Sequence, residues 1–506
     1  MKTIFFQKWF VQIISIIGMI CVIFPSLYSY GKYISLITIF LISPYLLREI
    51  FYEKLFSKNE GSLFAFIFII GYCITILMSA KTDLISTLHG FIWIIINFLV
   101  VYSYNKKIDI EEKKKQLFFL NNILITLSVV FSLISLYLYF NLISIEISGR
   151  TIGVVSGRNT GITIDSIQLS WINFIGICSS LINLVFPKKR IYNILLIFVL
   201  IINFICLETT ITRNTVYSVI ALLAIFTTAY YFCSLDFNKN KARKIITFIF
   251  IGLLSISSFL LIDNITKNVL SKVVTSLEEN KNSVISTNDQ NEENKFNIVM
   301  LSLDSSQNEV SSNNNSITNI NVNDVIKKSS NDSDDNDDNK DYYSREEDQY
   351  GFKYGLSGRY EIWMCGINVV KAYPIFGVST GDMVYQTYKE NENSPYLKLF
   401  IRPTVFTSQH NGMMQVLVAS GFFGLIFSTL AVITGLFKIV KNIFLNYGNI
   451  YKEKKLIATL FSIIFTMFFI MNIGQTVTYF MVSFINTYFW FIMHYLMYFS
   501  EKKENK

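Results

Sequence analysis

Uninterrupted apolar runs, recurring from one end of the chain to the other, restrict its fold more than any other feature. Most are about 17–25 residues long, enough for an α-helix to cross a hydrocarbon core about 30 Å thick. In that medium every backbone N–H and C=O needs a partner within the protein, and a helix supplies those partners from its own segment. The runs fall near residues 10–28, 33–47, 63–80, 90–104, 117–140, 166–186, 193–207, 214–234, 245–262, 411–437, 456–473 and 479–498. Only 16% of the 506 residues are charged, against about a quarter in a soluble domain. The expected fold is an all-α polytopic membrane protein of about 12 transmembrane helices. The first run has no small-residue cleavage site behind it and reads as a retained span.

The net charge of +8 is parcelled into short inter-helix loops, which makes it an orientation signal rather than a nucleic-acid footprint. One set of loops carries Lys2 and Lys8; Arg48, Lys54 and Lys58; Lys106, Lys107 and Lys113 to Lys115; and Lys188, Lys189 and Arg190. The same set continues with Lys239, Lys241, Arg243 and Lys244; Lys438, Lys441, Lys452, Lys454 and Lys455; and the tail Lys502, Lys503 and Lys506. The opposite short loops carry only Lys32, Lys81, Arg150, Arg158 and Arg213. This asymmetry predicts both termini in the cytoplasm of a multi-pass cytoplasmic-membrane protein.

A large extracytoplasmic loop then precedes the tenth helix. Residues 1–262 hold helices 1–9 and residues 411–506 hold helices 10–12. Between them, residues 263–349 are rich in Asn, Asp and Ser, with an acidic patch from Asp332 to Asp341, and are expected to form a disordered insertion. Residues 350–410 are expected to be ordered. Ile362, Trp363, Gly366, Ile367, Val369 and Val370 form one apolar helical face there, suited to lie on the membrane surface. Tyr373-Pro374 ends that helix. Five of the six cysteines fall inside spans and only Cys365 lies outside them, with no CxxC spacing; they read as apolar packers. No carboxylate cluster at the outer face has metal-ligand spacing, so neither a metal nor a cofactor is expected.

The outer arginines are exceptions to the pattern that orients the protein. Arg213 opens the eighth span, Arg359 begins the amphipathic helix, and Arg150 and Arg158 lie in a glycine-rich loop. The plain reading of each is a guanidinium snorkelling to lipid headgroups. The functional reading is a phosphate clamp, because guanidinium stays charged and offers a rigid fork of donors to phosphate oxygens. His410 stands at the lip of the tenth span. It is either a helix cap or a base that takes a proton from an attacking hydroxyl. Asn411 could orient that ring or bond a sugar. Glu361 and Glu208 read as orienting partners of the arginines, and Asp165 as a weaker base candidate.

The segment from about 357 to 435 resembles the conserved domain of the O-antigen ligase and O-antigen polymerase family. Arg359 with Trp363 comes first, then a turn carrying Pro374, Gly377 and Gly381. His410-Asn411 then precedes an apolar helix with Gly421-x-x-Gly424, and upstream Thr212-Arg213 heads a span. The resemblance implies an inverting, metal-independent glycosyltransferase acting at the outer face of the membrane. Its donor and acceptor partners would be oligosaccharides on undecaprenyl pyrophosphate. It also implies that Arg213 and Arg359 bind the pyrophosphate and that His410 acts on the acceptor hydroxyl. Arg150, Arg158, Glu361, Asn411 and Arg402 complete the candidate substrate contacts, and a chain-length regulator is a further partner. The Ile, Lys and Asn bias points to an A+T-rich genome and favours a capsule-type polymerase. A ligase transferring glycan to lipid A core or protein is the alternative, and a flippase or transporter the third reading.

Overall fold

The computed structural model describes residues 7–54, 56–79, 82–155, 157–186, 189–234, 241–288, 359–394, 408–441, 453–478 and 483–501. Each expected apolar run falls on a helix. In chain order these are α1 (Lys8–Cys21), α2 (Gly31–Arg48), α3 (Ser62–Met78), α4 (Leu84–Ile95), α5 (Ile110–Phe140), α6 (Ser166–Val185), α7 (Arg190–Thr209), α8 (Arg213–Ser234) and α9 (Lys241–Asn288). After α10 (Arg359–Ala372) and α11 (Met383–Glu390) come α12 (Gly412–Ile439), α13 (Lys454–Phe465) and α14 (Phe484–Glu501). Single π-helical turns extend α2, α4 and α13. Among the described residues nine helices are long and apolar enough to cross a membrane, and α1 and α3 are shorter apolar helices.

Lipid is as apolar as a leucine side chain, so small and polar side chains, not apolar ones, mark the helices that sit inside. Ser170, Asn173, Ser179, Ser180 and Asn183 of α6 are all buried. In α14 every residue from Phe484 to Ser500 is buried, and α6 is nearly as enclosed. These two helices and α13 form the centre of the bundle. At the other extreme, only 6% of the apolar window of α9 is covered by protein, so α9 stands at the periphery. At the lysine-rich end, Lys106 and Lys438 bind the two oxygens of Glu501 at 3.0 and 3.1 Å, tying α14 to its neighbours.

Three features depart from the sequence expectation. The glycine-rich loop after α5 is a three-stranded antiparallel meander of β1 (Ser144–Ile147), β2 (Arg150–Val155) and β3 (Arg158–Gly161). Ile147 pairs with Arg150 across a two-residue turn. Ser148 and Gly149 there both have positive φ, 53° and 70°, the mirror-image turn whose twist suits a hairpin. Secondly, α9 does not stop near residue 262. Its apolar spacing continues through Ile265, Val269, Leu270 and Val273, and Val274 packs on Tyr139 of α5 and Val154 of β2. The helix therefore occupies the first part of the expected disordered insertion, whose remainder, 289–349, lies outside the described residues.

Thirdly, α10 does not lay its apolar face on a membrane surface. Ile362, Cys365, Gly366, Val369 and Val370 are buried, and Val369 and Val370 pack with Val378, Met383 and Val418 from α11 and α12 and the chain between. The reason is an acceptor surface that sequence alone does not reveal. α12 breaks at Gly421, where φ is +64° and ψ −169°. The break releases backbone groups that a straight helix would satisfy itself, and an unpaired group there would cost free energy. The chain after α10 supplies partners. Phe422 and Phe423 N–H donate to Pro374 and Ile375 carbonyls at 2.8 and 3.1 Å, and Val378 and Ser379 N–H donate to Val418 and Ala419 carbonyls at 3.1 and 2.9 Å. The proline-glycine turn and the Gly-x-x-Gly step are thus two halves of one joint.

Candidate functional site

That joint fixes α10 against α12, and the free ends of both helices then meet the start of α8. Three N-termini gather around residues 471–476, which follow α13. Asn214, second residue of α8, donates from Nδ2 to the Met471 carbonyl at 3.1 Å. Asn411 caps α12, its Oδ1 accepting from Met414 N–H at 3.0 Å, and its Nδ2 donates to the Ile473 carbonyl at 3.1 Å. Arg359, first residue of α10, reaches the same place. A Cβ built on Gly474 would lie 2.5 Å from Asn214 Oδ1 and 2.7 Å from Arg359 Nη1. The structure therefore brings Arg359, the first turn of α8, His410 and Asn411 to one location.

Electrostatically the place is positive. Each helix N-terminus carries about half a unit charge and unsatisfied N–H groups, which favour an anion. Arg213 and Arg359 open two of these helices, where a cation is opposed by the dipole unless an anion joins it. Arg213 is exposed, and no ion pair to it occurs among the described residues. Arg359 is half-buried. Its charge acts on His410, whose pKa falls from 6.5 to about 4, chiefly through burial and next through Arg359. The imidazole is neutral at pH 7.

His410 is held in strained backbone, φ +46°, a region costing a non-glycine residue about 1–3 kcal/mol and common at functional sites. Neighbours keep it there. His410 N–H donates to Ser408 Oγ at 3.2 Å, Ser408 Oγ shares a proton with Thr476 Oγ1 at 3.1 Å, and Trp363 Nε1 donates to the Gln409 carbonyl at 3.0 Å. Trp363 thus supports the loop that carries the histidine.

The other candidates are engaged elsewhere or turned inward. Arg150 stacks on Tyr28, its Cζ 4.0 Å from the ring centre. Arg158 is half-buried in β3, next to Asn159, whose Nδ2 donates to Thr209 Oγ1 at 2.8 Å and holds the meander against the end of α7. Glu361 faces the interior beside Cys365. Glu208 is buried against Asp263 of α9, which is paired with Lys267 at 2.8 Å, so Glu208 does not orient Arg213. Asp165 caps α6 through Gln168 N–H at 2.7 Å; burial raises its carboxyl above the usual range, against the pull of those backbone bonds and of Arg150. Arg402 lies outside the described residues. His89 meets Ser35 at 2.5 Å, and His494 meets the Tyr102 and Ser103 carbonyls at the lysine-rich end. No three His, Cys, Asp or Glu side chains gather as metal ligands among the described residues.

Sequence reasoning missed the segment on which the site is built, Asn472 to Thr478. Its signal was present as the polar and small residues Asn472, Gly474, Gln475, Thr476 and Thr478 between two apolar runs, but it read as a plain connection. Comparison with known proteins comes to the part of the chain that carries the two arginines and the histidine. Residues 196–429 match the family model described as O-antigen ligase. That range contains Arg213, Arg359 and His410. No curated protein matches the chain.

Proposed function

This chain belongs to the O-antigen ligase and polymerase family through residues 196–429, and from that premise we propose that it is a polysaccharide polymerase. In this reading it moves a glycan from undecaprenyl pyrophosphate to the non-reducing end of a lipid-linked repeat unit. The site end of the bundle faces outward and the lysine-rich end faces the cytoplasm of a cytoplasmic-membrane protein, as the loop charges favour. The observation that carries the proposal is the convergence of Arg359, the Arg213-bearing end of α8 and a neutral, half-buried His410 around residues 471–476.

The chemistry follows from that arrangement. The pyrophosphate binds Arg213, Arg359 and the helix N-termini, which face the charge that builds on the leaving oxygen. The acceptor hydroxyl attacks the anomeric carbon from the opposite side and inverts it. The bond to the phosphate oxygen breaks, and the lipid pyrophosphate leaves with the electron pair. His410 takes the hydroxyl proton as the new bond forms. No step in this scheme calls on a metal ion.

Incubation of purified protein with a lipid-pyrophosphate oligosaccharide should give a ladder of lengthened products. Arg213→Ala and His410→Ala should each abolish the ladder and leave single repeat units. Normal chain lengths in both variants would refute the site. A single transfer to a non-repeat acceptor, with no ladder, would assign the ligase reaction instead.

A further inference from the structure

The connection between α13 and α14 is built as a frame. Asn472 braces it internally, donating from Nδ2 to Thr478 Oγ1 at 2.9 Å and accepting at Oδ1 from Val477 N–H at 3.0 Å. Gln475 braces it outward, accepting from Trp171 Nε1 at 2.6 Å and donating to Thr215 Oγ1 at 3.2 Å. Asn472, Gln475, Thr476 and Thr478 are all buried. The segment thus touches α6, α8, the cap of α12 and Ser408, and has no freedom to drift.

Gly474 sits in this frame beside both Arg359 and Asn214 of α8. Its added Cβ would lie 2.5 Å from Asn214 Oδ1, 2.6 Å from Asn214 Cγ and 2.7 Å from Arg359 Nη1. These separations are well inside van der Waals contact. All three atoms are in side chains, and Nη1 is the far end of a flexible one, so guanidinium moves before backbone does. We propose that Gly474 is a positioning residue: lacking a side chain, it lets the Arg359 guanidinium lie against the first turn of α8, so that residues 472–478 set the spacing of the two arginines. The inference rests on the proposed pyrophosphate-binding role of those arginines.

The test compares wild type, Gly474→Ala, Arg359→Ala and Gly435→Ala in nanodiscs, with a lipid-pyrophosphate oligosaccharide as probe. Gly435 is the control. Its added Cβ also meets only side-chain ends, Met493 Cε at 2.9 Å and Met497 Sδ at 3.0 Å, away from the site. Gly474→Ala should lower kcat/KM about 100-fold, the scale of a misplaced positioning group, mostly through KM, while Gly435→Ala stays at wild-type rates. The His410 titration should also move up as the arginine charge recedes, yet stay well below 6.5, the value to which a general loss of folding would return it. Wild-type KM, or lost activity with an unmoved His410 titration, overturns the proposal. Full activity in Arg359→Ala would instead refute the assignment of the arginine itself. Should Gly474→Ala not fold, Asn214→Ala removes the facing wall; it should raise KM in the same direction, and an unchanged KM there overturns the proposal equally.

Discussion

Replacing Arg359 with Gln removes one charge beside His410 while keeping a side chain of similar length. The fall in the imidazole pKa from 6.5 to about 4 corresponds to about 3 kcal/mol disfavouring imidazolium. Burial is the larger cause and the guanidinium the smaller. Loss of the guanidinium therefore recovers less than half of the fall, at most about one pH unit, and His410 should titrate above 4 but well below 6.5 in the variant. The chain has only three histidines, so isotope labelling of histidine gives three ring signals, and His410→Gln identifies the relevant one. This readout is independent of whether the variant turns over substrate. A signal still titrating near 4 would mean that Arg359 does not face His410. One titrating at the ordinary 6.5 would mean that the imidazole is open to solvent. Either result refutes the geometry on which the mechanism depends.

The same imbalance predicts how stability depends on pH. Between pH 6.5 and 4 the unfolded chain protonates His410 and the folded protein resists, so stability should fall as pH falls through that window, by at most about 3 kcal/mol. Above pH 6.5 the histidine contributes no pH dependence. Thermal unfolding of wild type and His410→Gln across pH 4–7 checks this, because the variant should lack that part of the loss. At the joint, Gly421→Ala forces a side chain to φ +64° and against the Ile375 backbone. It should cost at least about 2 kcal/mol, read as a lowered unfolding midpoint with less folded protein in the membrane; an unchanged midpoint would show that the break in α12 is not required.

How far the sequence could be read follows from which interactions are periodic. The spans were legible because burial in hydrocarbon acts on every residue of a long run, and errors at single positions average out. The order Arg359, Pro374, Gly377, His410, Gly421 was legible as a motif, but its purpose was not. Gly377 and Gly421 lie 44 positions apart, and only the docked chain shows that one glycine opens the helix and the other belongs to the turn that fills the gap. Glu208 was misjudged for a related reason. Nearness in sequence to an arginine is weak evidence of pairing when a helix turn can point two neighbours in opposite directions, one toward the site and the other into the core.

The hardest element to foresee was the frame itself. Residues 472–478 carry neither charge nor catalytic side chain, and in a membrane protein a short polar stretch between spans is what any loop resembles. Their importance comes from being buried while polar. Each amide or hydroxyl enclosed there must find a partner, since one left unpaired costs about 1–3 kcal/mol. The partners that Asn472, Gln475 and Thr476 find lie on α6, on α8, within the segment and beside His410. Satisfying those groups is what fixes the distance between two arginines that come from segments 146 positions apart. Apolar packing alone would hold the helices together yet allow them to slide. Directional bonds at their ends supply the register that the proposed bidentate grip on pyrophosphate would require.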